Sequence, residues 1–148
     1  MTPEQKRLVE NIWKQMAASA DAAAALFYCR LFEIDPSTRR LFRATDMVAQ
    51  RKKLVQTLSF AIGGLDDPDA LVSKVEDLGR RHAGYGVTDA HYDSVGAALL
   101  WTLEQGLGQA WTPVVASAWS EVYGFLSGTM RKATAQTHTA AVKRVAVA

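Results

Sequence analysis

One cysteine, Cys29, is all the thiol this chain has, so its own residues can make neither an internal disulfide nor a multi-cysteine zinc or iron–sulfur site. Thiol chemistry therefore declares no compartment, and a reducing cytoplasm is the default expectation. An excess of one charge sign is missing as well. Seventeen Lys and Arg stand against fifteen Asp and Glu, a net charge of +2, with the cations in short clusters, so nucleic-acid binding is not expected. Long apolar runs are absent too. The longest, residues 22–29, falls far short of a membrane span, and residues 1–7 turn polar at once, which argues against membrane insertion and a standard secretion signal. The sequence also lacks GxSxG, P-loop, GxGxxG, HExxH and CxxC patterns, which leaves the common hydrolytic and nucleotide chemistries without their residues.

What is present suits one domain. The 148 residues are 49% apolar and include four Trp, four Tyr and five Phe, enough for a sizeable core without covalent staples. All four prolines follow a residue that can cap a helix: Thr2-Pro3, Asp35-Pro36, Asp67-Pro68 and Thr112-Pro113. Thr and Asp accept from the free N–H groups of a first helical turn, and proline suits the position after the cap because its missing N–H would be unpaired there. Thr2 with Gln5 also fits a capping box, and Asp21, Asp46 and Thr88 are further candidate caps.

Between these starts the apolar residues recur at steps of three and four, as in Leu54-Leu58-Ile62-Leu65 and Val115-Trp119-Val122-Leu126-Met130. That is a helical period, and strand alternation is missing. Gly63-Gly64, Gly84 with Gly86, and Gly106 with Gly108 close periodic stretches, as helix C-termini prefer. The pattern predicts helices near 3–19, 21–34, 36–42, 47–63, 68–82, 89–106 and 113–133. The expected fold class is all-α, a domain over 1–133 followed by a C-terminal extension, 134–148, that prolongs the last helix or frays.

The three histidines, His82, His91 and His138, include no i, i+4 pair, so a metal site built from sequence neighbours is not expected. His82 ends a helix, with Leu78 one turn before it. The Leu78 carbonyl can accept the ring Nδ1–H and leave Nε2 free as a ligand. The alternative is a helix-end histidine interacting with the dipole.

Several strings together resemble the globin family: Leu26-Phe27-Tyr28 with Leu31-Phe32, Asp35-Pro36 with Leu41-Phe42, Gln50-Arg51-Lys52-Lys53-Leu54 and Leu78-Gly79-Arg80-Arg81-His82. His91-Tyr92, Val95-Gly96 and Ala118-Trp119 with Val122-Tyr123-Gly124 continue the likeness, which runs in order from about residue 4 to about residue 130. It is strongest toward bacterial single-domain globins and the haem domain of flavohaemoglobins. The resemblance implies a globin fold of about seven helices around haem, with His82 as the proximal iron ligand. Without a CxxCH attachment motif the haem would be non-covalent haem b.

By the same resemblance Tyr28 and Gln50 face the distal side, where phenol and amide both donate hydrogen bonds to bound dioxygen, and Leu54 adds apolar bulk. The expected haem pocket further includes Phe42, Leu58, Leu78, Arg81, Val87, Tyr92 and Val95, with Leu78 and Tyr92 supporting His82. Arg81 is placed to pair with a haem propionate, although a solvated helix face is the commoner fate of such charge runs. Cys29, in an apolar helix, is expected to be packed inside.

One flavohaemoglobin feature is missing: Ala133-Thr134 stands where the proximal glutamate of the last helix belongs, which favours holding O2 over splitting it. The resemblance thus implies high-affinity, reversible O2 binding, with CO and NO as further ligands. The alternatives are NO dioxygenation served by an external reductase, since 148 residues cannot contain one, or a gas or redox sensor. A monomer and a homodimer are both compatible with the sequence.

Overall fold

The computed structural model describes the backbone of residues 1–147 and the side chains of 1–136. His138, Lys143 and Arg144, and the role of the extension that carries them, lie outside the described side chains. Six α-helices account for most of the chain: α1 (Pro3–Met16), α2 (Ala20–Ile34), α3 (Met47–Gly63), α4 (Pro68–Gly84), α5 (Asp89–Leu107) and α6 (Pro113–Val147). Short 3₁₀ segments cover Ala17–Ser19, Pro36–Phe42 and Gly108–Ala110, and no strand occurs among the described residues. The fold is all-α, as expected.

The caps do much of the local work. Thr2 Oγ1 accepts from Gln5 N at 3.1 Å while Gln5 Oε1 accepts from Thr2 N at 2.9 Å. Asp46 holds Val48 N at 3.0 Å, and Asp67 holds Ala70 N at 3.4 Å. Such a cap is worth about 1 kcal/mol. Asp21 departs from expectation. Helix α2 begins one residue earlier, at Ala20, with no side-chain bond from Ser19, and Asp21 in its first turn pairs with Arg51 of α3 at 3.0 Å. A carboxylate in a first turn is favourable even when it caps nothing, so sequence does not separate the two positions.

Helix α4 packs on α6, α2 packs on α5 and α3, and α1 bridges α6 and α3. Trp119, Leu31, Leu65, Leu103 and Val9 are among the most deeply buried side chains of the core between them. Each such burial contributes about 1.5–3 kcal/mol. Although consecutive, α3 and α4 pack on different partners, α3 on α1 and α2, α4 on α6. A cleft is left between them.

Cys29 is exposed, a second departure. Helix α2 is apolar over most of its surface, but its neighbours cover only the side that carries Ala24, Phe27, Tyr28 and Leu31. Cys29 falls on the uncovered side with Ala22, Ala25 and Leu26.

Candidate functional site

The end of α4 is positioned by a close helix crossing. Gly79 is buried, and a Cβ there would stand 2.7 Å from both the Cα and the carbonyl oxygen of Met130, so the crossing with α6 requires glycine. One turn on, His82 Nδ1 lies 2.8 Å from the Leu78 carbonyl oxygen. A carbonyl only accepts, so the ring proton sits on Nδ1 and Nε2 keeps its lone pair. Burial pulls the His82 pKa below its usual 6.5, the Leu78 bond opposes this, and the Arg81 charge lowers it further. The ring is therefore held neutral, the state a metal ligand needs.

The chain then turns. Tyr85 N and Val87 N both donate to the His82 carbonyl at 3.1 Å, and Gly86, with φ +86°, supplies the left-handed backbone that this turn needs. Tyr92 lies just beyond, 6% exposed. Its hydroxyl is buried without a directed partner among the described residues. Thr134 is near enough to favour the phenolate, but burial outweighs it and raises the Tyr92 pKa. The Thr134 hydroxyl spends its own bonds on the carbonyls of Met130 at 3.1 Å and Gly79 at 3.3 Å. The position that the globin likeness gives to a proximal glutamate thus holds a short neutral side chain that ties α6 to α4.

The Tyr92 carbonyl accepts the Tyr123 hydroxyl, whose ring occupies the space left open by Gly96: a Cβ there would come within 2.7 Å of Tyr123 Cε2. Above the Tyr92 ring stands the Arg131 guanidinium, 5.2 Å from the centroid and paired with Asp93 at 2.7 Å.

On the side of α2 and α3, Tyr28 is 5% exposed. Gln50 Nε2 donates to its hydroxyl oxygen at 3.2 Å, so the phenolic proton remains available for another acceptor. Burial raises the Tyr28 pKa against the lowering effect of Gln50, which keeps the phenol protonated. Phe42, the last residue of the Pro36–Phe42 segment, meets the Tyr28 ring edge-on at 5.3 Å. Leu54 and Leu58 follow Gln50 at one-turn steps and border an apolar cavity of about 30 Å³ with Phe27, Leu99 and Leu103. That is room for a very small apolar molecule.

Leu78 and Arg81 of α4 face Gln56, Thr57 and Phe60 of α3 across a cleft of about 350 Å³, within the range of small-molecule sites. Phe42, Leu54, Leu58, Leu78, Val87 and Val95 are all only partly buried against the core. Leu78 lines this cleft one turn before the neutral His82 ring, and the other half-covered apolar side chains lie on the elements around it, a set that fits a flat apolar group with a metal at its centre. The expected haem therefore suits the residues present. Arg81 is exposed at the cleft and takes part in no ion pair among the described residues, while its neighbour Arg80 pairs with Asp77 at 2.7 Å.

The structure thus joins Tyr28, Gln50 and Phe42 in one group and His82, Leu78 and Val87 in another. It shows no hydrogen bond between His82 and the Tyr92 hydroxyl. Sequence reading passed over the packing role of Gly79 and over His91, which sits at the third position of α5. The signal for His91 was its spacing from Thr88, the slot that Glu or Gln fills in a capping box.

The sequence model of the Globin family matches residues 25–130. A flavohemoprotein of Rhodopirellula baltica is 32% identical over 123 residues, covering 82% of this chain but 30% of that protein. A neuroglobin of Chaenocephalus aceratus is 27% identical over 143 residues, 88% of this chain and 90% of the relative. One from Tetraodon nigroviridis is 26% identical over 145 residues, covering 89% and 91%. The chain therefore spans less than a third of the flavohemoprotein it resembles and nearly the whole of each neuroglobin.

Proposed function

Because the chain belongs to the globin family, we propose that it is a haem-b protein that binds dioxygen reversibly, with His82 as the proximal ligand and Tyr28 and Gln50 on the distal side. Bound in the α3–α4 cleft, haem would supply a metal centre that takes up a diatomic gas. The protein supplies the rest. Leu78 fixes the His82 ring and its tautomer, leaving the Nε2 lone pair free to bind a metal. Leu54 and Leu58 keep the distal side apolar, and Arg81 offers a cation at the cleft for a propionate.

The observation that carries the oxygen reading is the Gln50–Tyr28 bond. By occupying the phenol oxygen, Gln50 leaves the Tyr28 proton to be donated into the pocket. A ligand that gains negative charge on coordination profits from such a donor, and O2 does so far more than CO. Thr134 in place of a glutamate supports holding O2 rather than splitting it, because a carboxylate that would enrich the proximal imidazole is lacking there.

The similarity to a flavohemoprotein favours one further reading, NO dioxygenation. NO, O2 and one electron combine to nitrate, so each turnover draws an electron from a separate reductase. The cytoplasm is the compartment where such a donor would be met.

Absorption spectra of the purified protein, ferric, reduced and then aerated, test this reading. A Soret band and an aerated ferrous spectrum that persists support the oxygen binder. Loss of both on His82→Ala assigns the proximal ligand, and an unchanged spectrum in that variant would overturn it. Sustained NO consumption that requires an added reductase would establish the second reading.

A further inference from the structure

Asp35, Ser37, His91 and Ser94 form a hydrogen-bonded cluster that gas binding does not use. His91 is 5% exposed. Its Nδ1 accepts the backbone N–H of Thr88 at 3.0 Å, so the ring proton sits on Nε2, which donates to Ser37 Oγ at 3.2 Å. Ser37 Oγ donates in turn to Asp35 Oδ1 at 2.5 Å, and Ser94 Oγ donates to Asp35 Oδ2 at 2.8 Å. Each donor meets an acceptor, and a single neutral tautomer of His91 satisfies the whole chain of bonds.

The place of this cluster in the fold gives it meaning. Residues 64–67 join the end of α3 to the start of α4, so one end of the cleft is closed covalently. At the other end, where α3 starts near Gln50 and α4 finishes just past His82, no covalent link exists. The Pro36–Phe42 segment leads into α3 there, and the 85–88 turn leads out of α4. His91 holds both: Thr88 of the turn on one ring nitrogen and Ser37 of the segment on the other, 54 positions away in the chain.

We propose that His91 is a positioning residue, the pin of a clasp across the open end of the α3–α4 cleft that sets how fast a bound haem leaves. The proposal rests on the haem reading above. Parting the cleft at this end moves the Phe42-bearing segment away from the turn after His82, and that movement breaks the Nε2–Ser37 bond. Asp35 keeps Ser37 in place by accepting from both its hydroxyl and its backbone N–H, the latter at 3.2 Å.

Three substitutions separate the halves of the clasp. In His91→Gln the amide oxygen can serve Thr88 and the amide N–H can serve Ser37. In His91→Glu the carboxylate can still cap Thr88 but has no donor for Ser37, and its charge lies beside that of Asp35. Ser37→Ala removes the far half alone. The holo-proteins are mixed with excess apomyoglobin, and haem transfer is followed by absorbance. Ser37→Ala and His91→Glu are expected to lose haem about five- to tenfold faster, and His91→Gln within about twofold of the wild-type rate.

Ser59→Ala, which removes the bond from Trp13 Nε1 at 2.9 Å elsewhere in the fold, is expected to leave transfer unchanged even where it lowers the apoprotein's melting temperature. Wild-type transfer rates in Ser37→Ala and His91→Glu, or a His91→Gln variant as fast as His91→Glu, would overturn the clasp. A wild-type protein that takes up no haem would sink the haem reading instead. The clasp is then decided on the apoprotein by amide exchange at Thr88, which Ser37→Ala accelerates about fivefold or more if the two segments are pinned together and leaves unchanged if they are not.

Discussion

Gly79 lies against the backbone of Met130 so closely that a methyl group on its Cα would stand 2.7 Å from Met130 Cα and carbonyl oxygen. Neither atom can move without moving α6. Gly79→Ala is therefore expected to cost about 1–3 kcal/mol in urea unfolding and to displace the end of α4 that carries His82. Gly96→Ala meets only the ring edge of Tyr123, and a side chain can yield. Its cost should be smaller, and Tyr123→Leu in the same chain should recover part of it. Equal penalties for the two alanines would contradict the distinction between a backbone and a side-chain obstacle.

Tyr28→Phe keeps the ring that packs on Phe42 and removes the donor. A hydrogen bond to a partly charged ligand is worth about 1.5–3 kcal/mol, so O2 dissociation from the ferrous protein should accelerate about tenfold or more. CO dissociation should change little. Gln50→Leu should act in the same direction and less strongly, because it frees the phenol oxygen without removing the proton. Stopped-flow replacement of O2 by CO reads both, and an unchanged O2 rate in Tyr28→Phe would take that residue out of the pocket.

Helix boundaries were legible because they are written in short-range chemistry. Thr or Asp before Pro starts α1, α4, α6 and the Pro36–Phe42 segment, and glycines lie at or just beyond the ends of α3, α4 and α5, each signal lying within a few residues of its effect. Tyr28, Gln50 and His82 were singled out together only through the resemblance, since no spacing rule relates positions so far apart; the structure joins Gln50 to Tyr28 and His82 to Leu78. Of the Asp35–Ser37–His91–Ser94 cluster only the local pieces, Asp35 before Pro36 and Thr88 three before His91, carry a sequence signal; its members meet only after α5 has been laid beside the segment that follows α2. Cys29 failed for another reason. In α2 apolar residues run round most of the helix, so the pattern that tells the covered side is weak, with only Glu33 one turn on to mark the side of Cys29 as open.

The Asp35 carboxyl is held below its usual 3.8, first by the Ser37 hydroxyl and then by that of Ser94. Those bonds favour the charged form. Their contribution to stability is present above the ordinary carboxyl pKa and is lost as pH falls through the lower folded value. Ser94→Ala should therefore be less stable than wild type near neutrality, by about 1 kcal/mol for a partly solvated charged bond, and the gap should narrow as the medium is acidified. Urea midpoints across an acid series measure this. A gap that widens toward acid would reverse the assignment.

Cys29 should react with a small alkylating reagent in the folded protein, at a rate close to that of the denatured chain, because it sits on the uncovered side of α2. Cys29→Ser should change stability by no more than about 0.5 kcal/mol. Protection of the thiol until unfolding would show that something covers this side of the helix in solution.

Phe42, Leu54, Leu58, Leu78, Val87 and Val95 are each partly buried against the core and are apolar surface that haem would cover. With haem as that cover, folding equilibrium and haem supply are linked by mass action: a ligand at a hundred times its Kd adds about 2.7 kcal/mol to the folded state. A cell that translates this polypeptide faster than it makes haem accumulates molecules displaying an apolar rim, the kind of surface that chaperones retain and proteases clear. Steady-state abundance is then a readout of the cell's haem economy, set before the first gas molecule arrives.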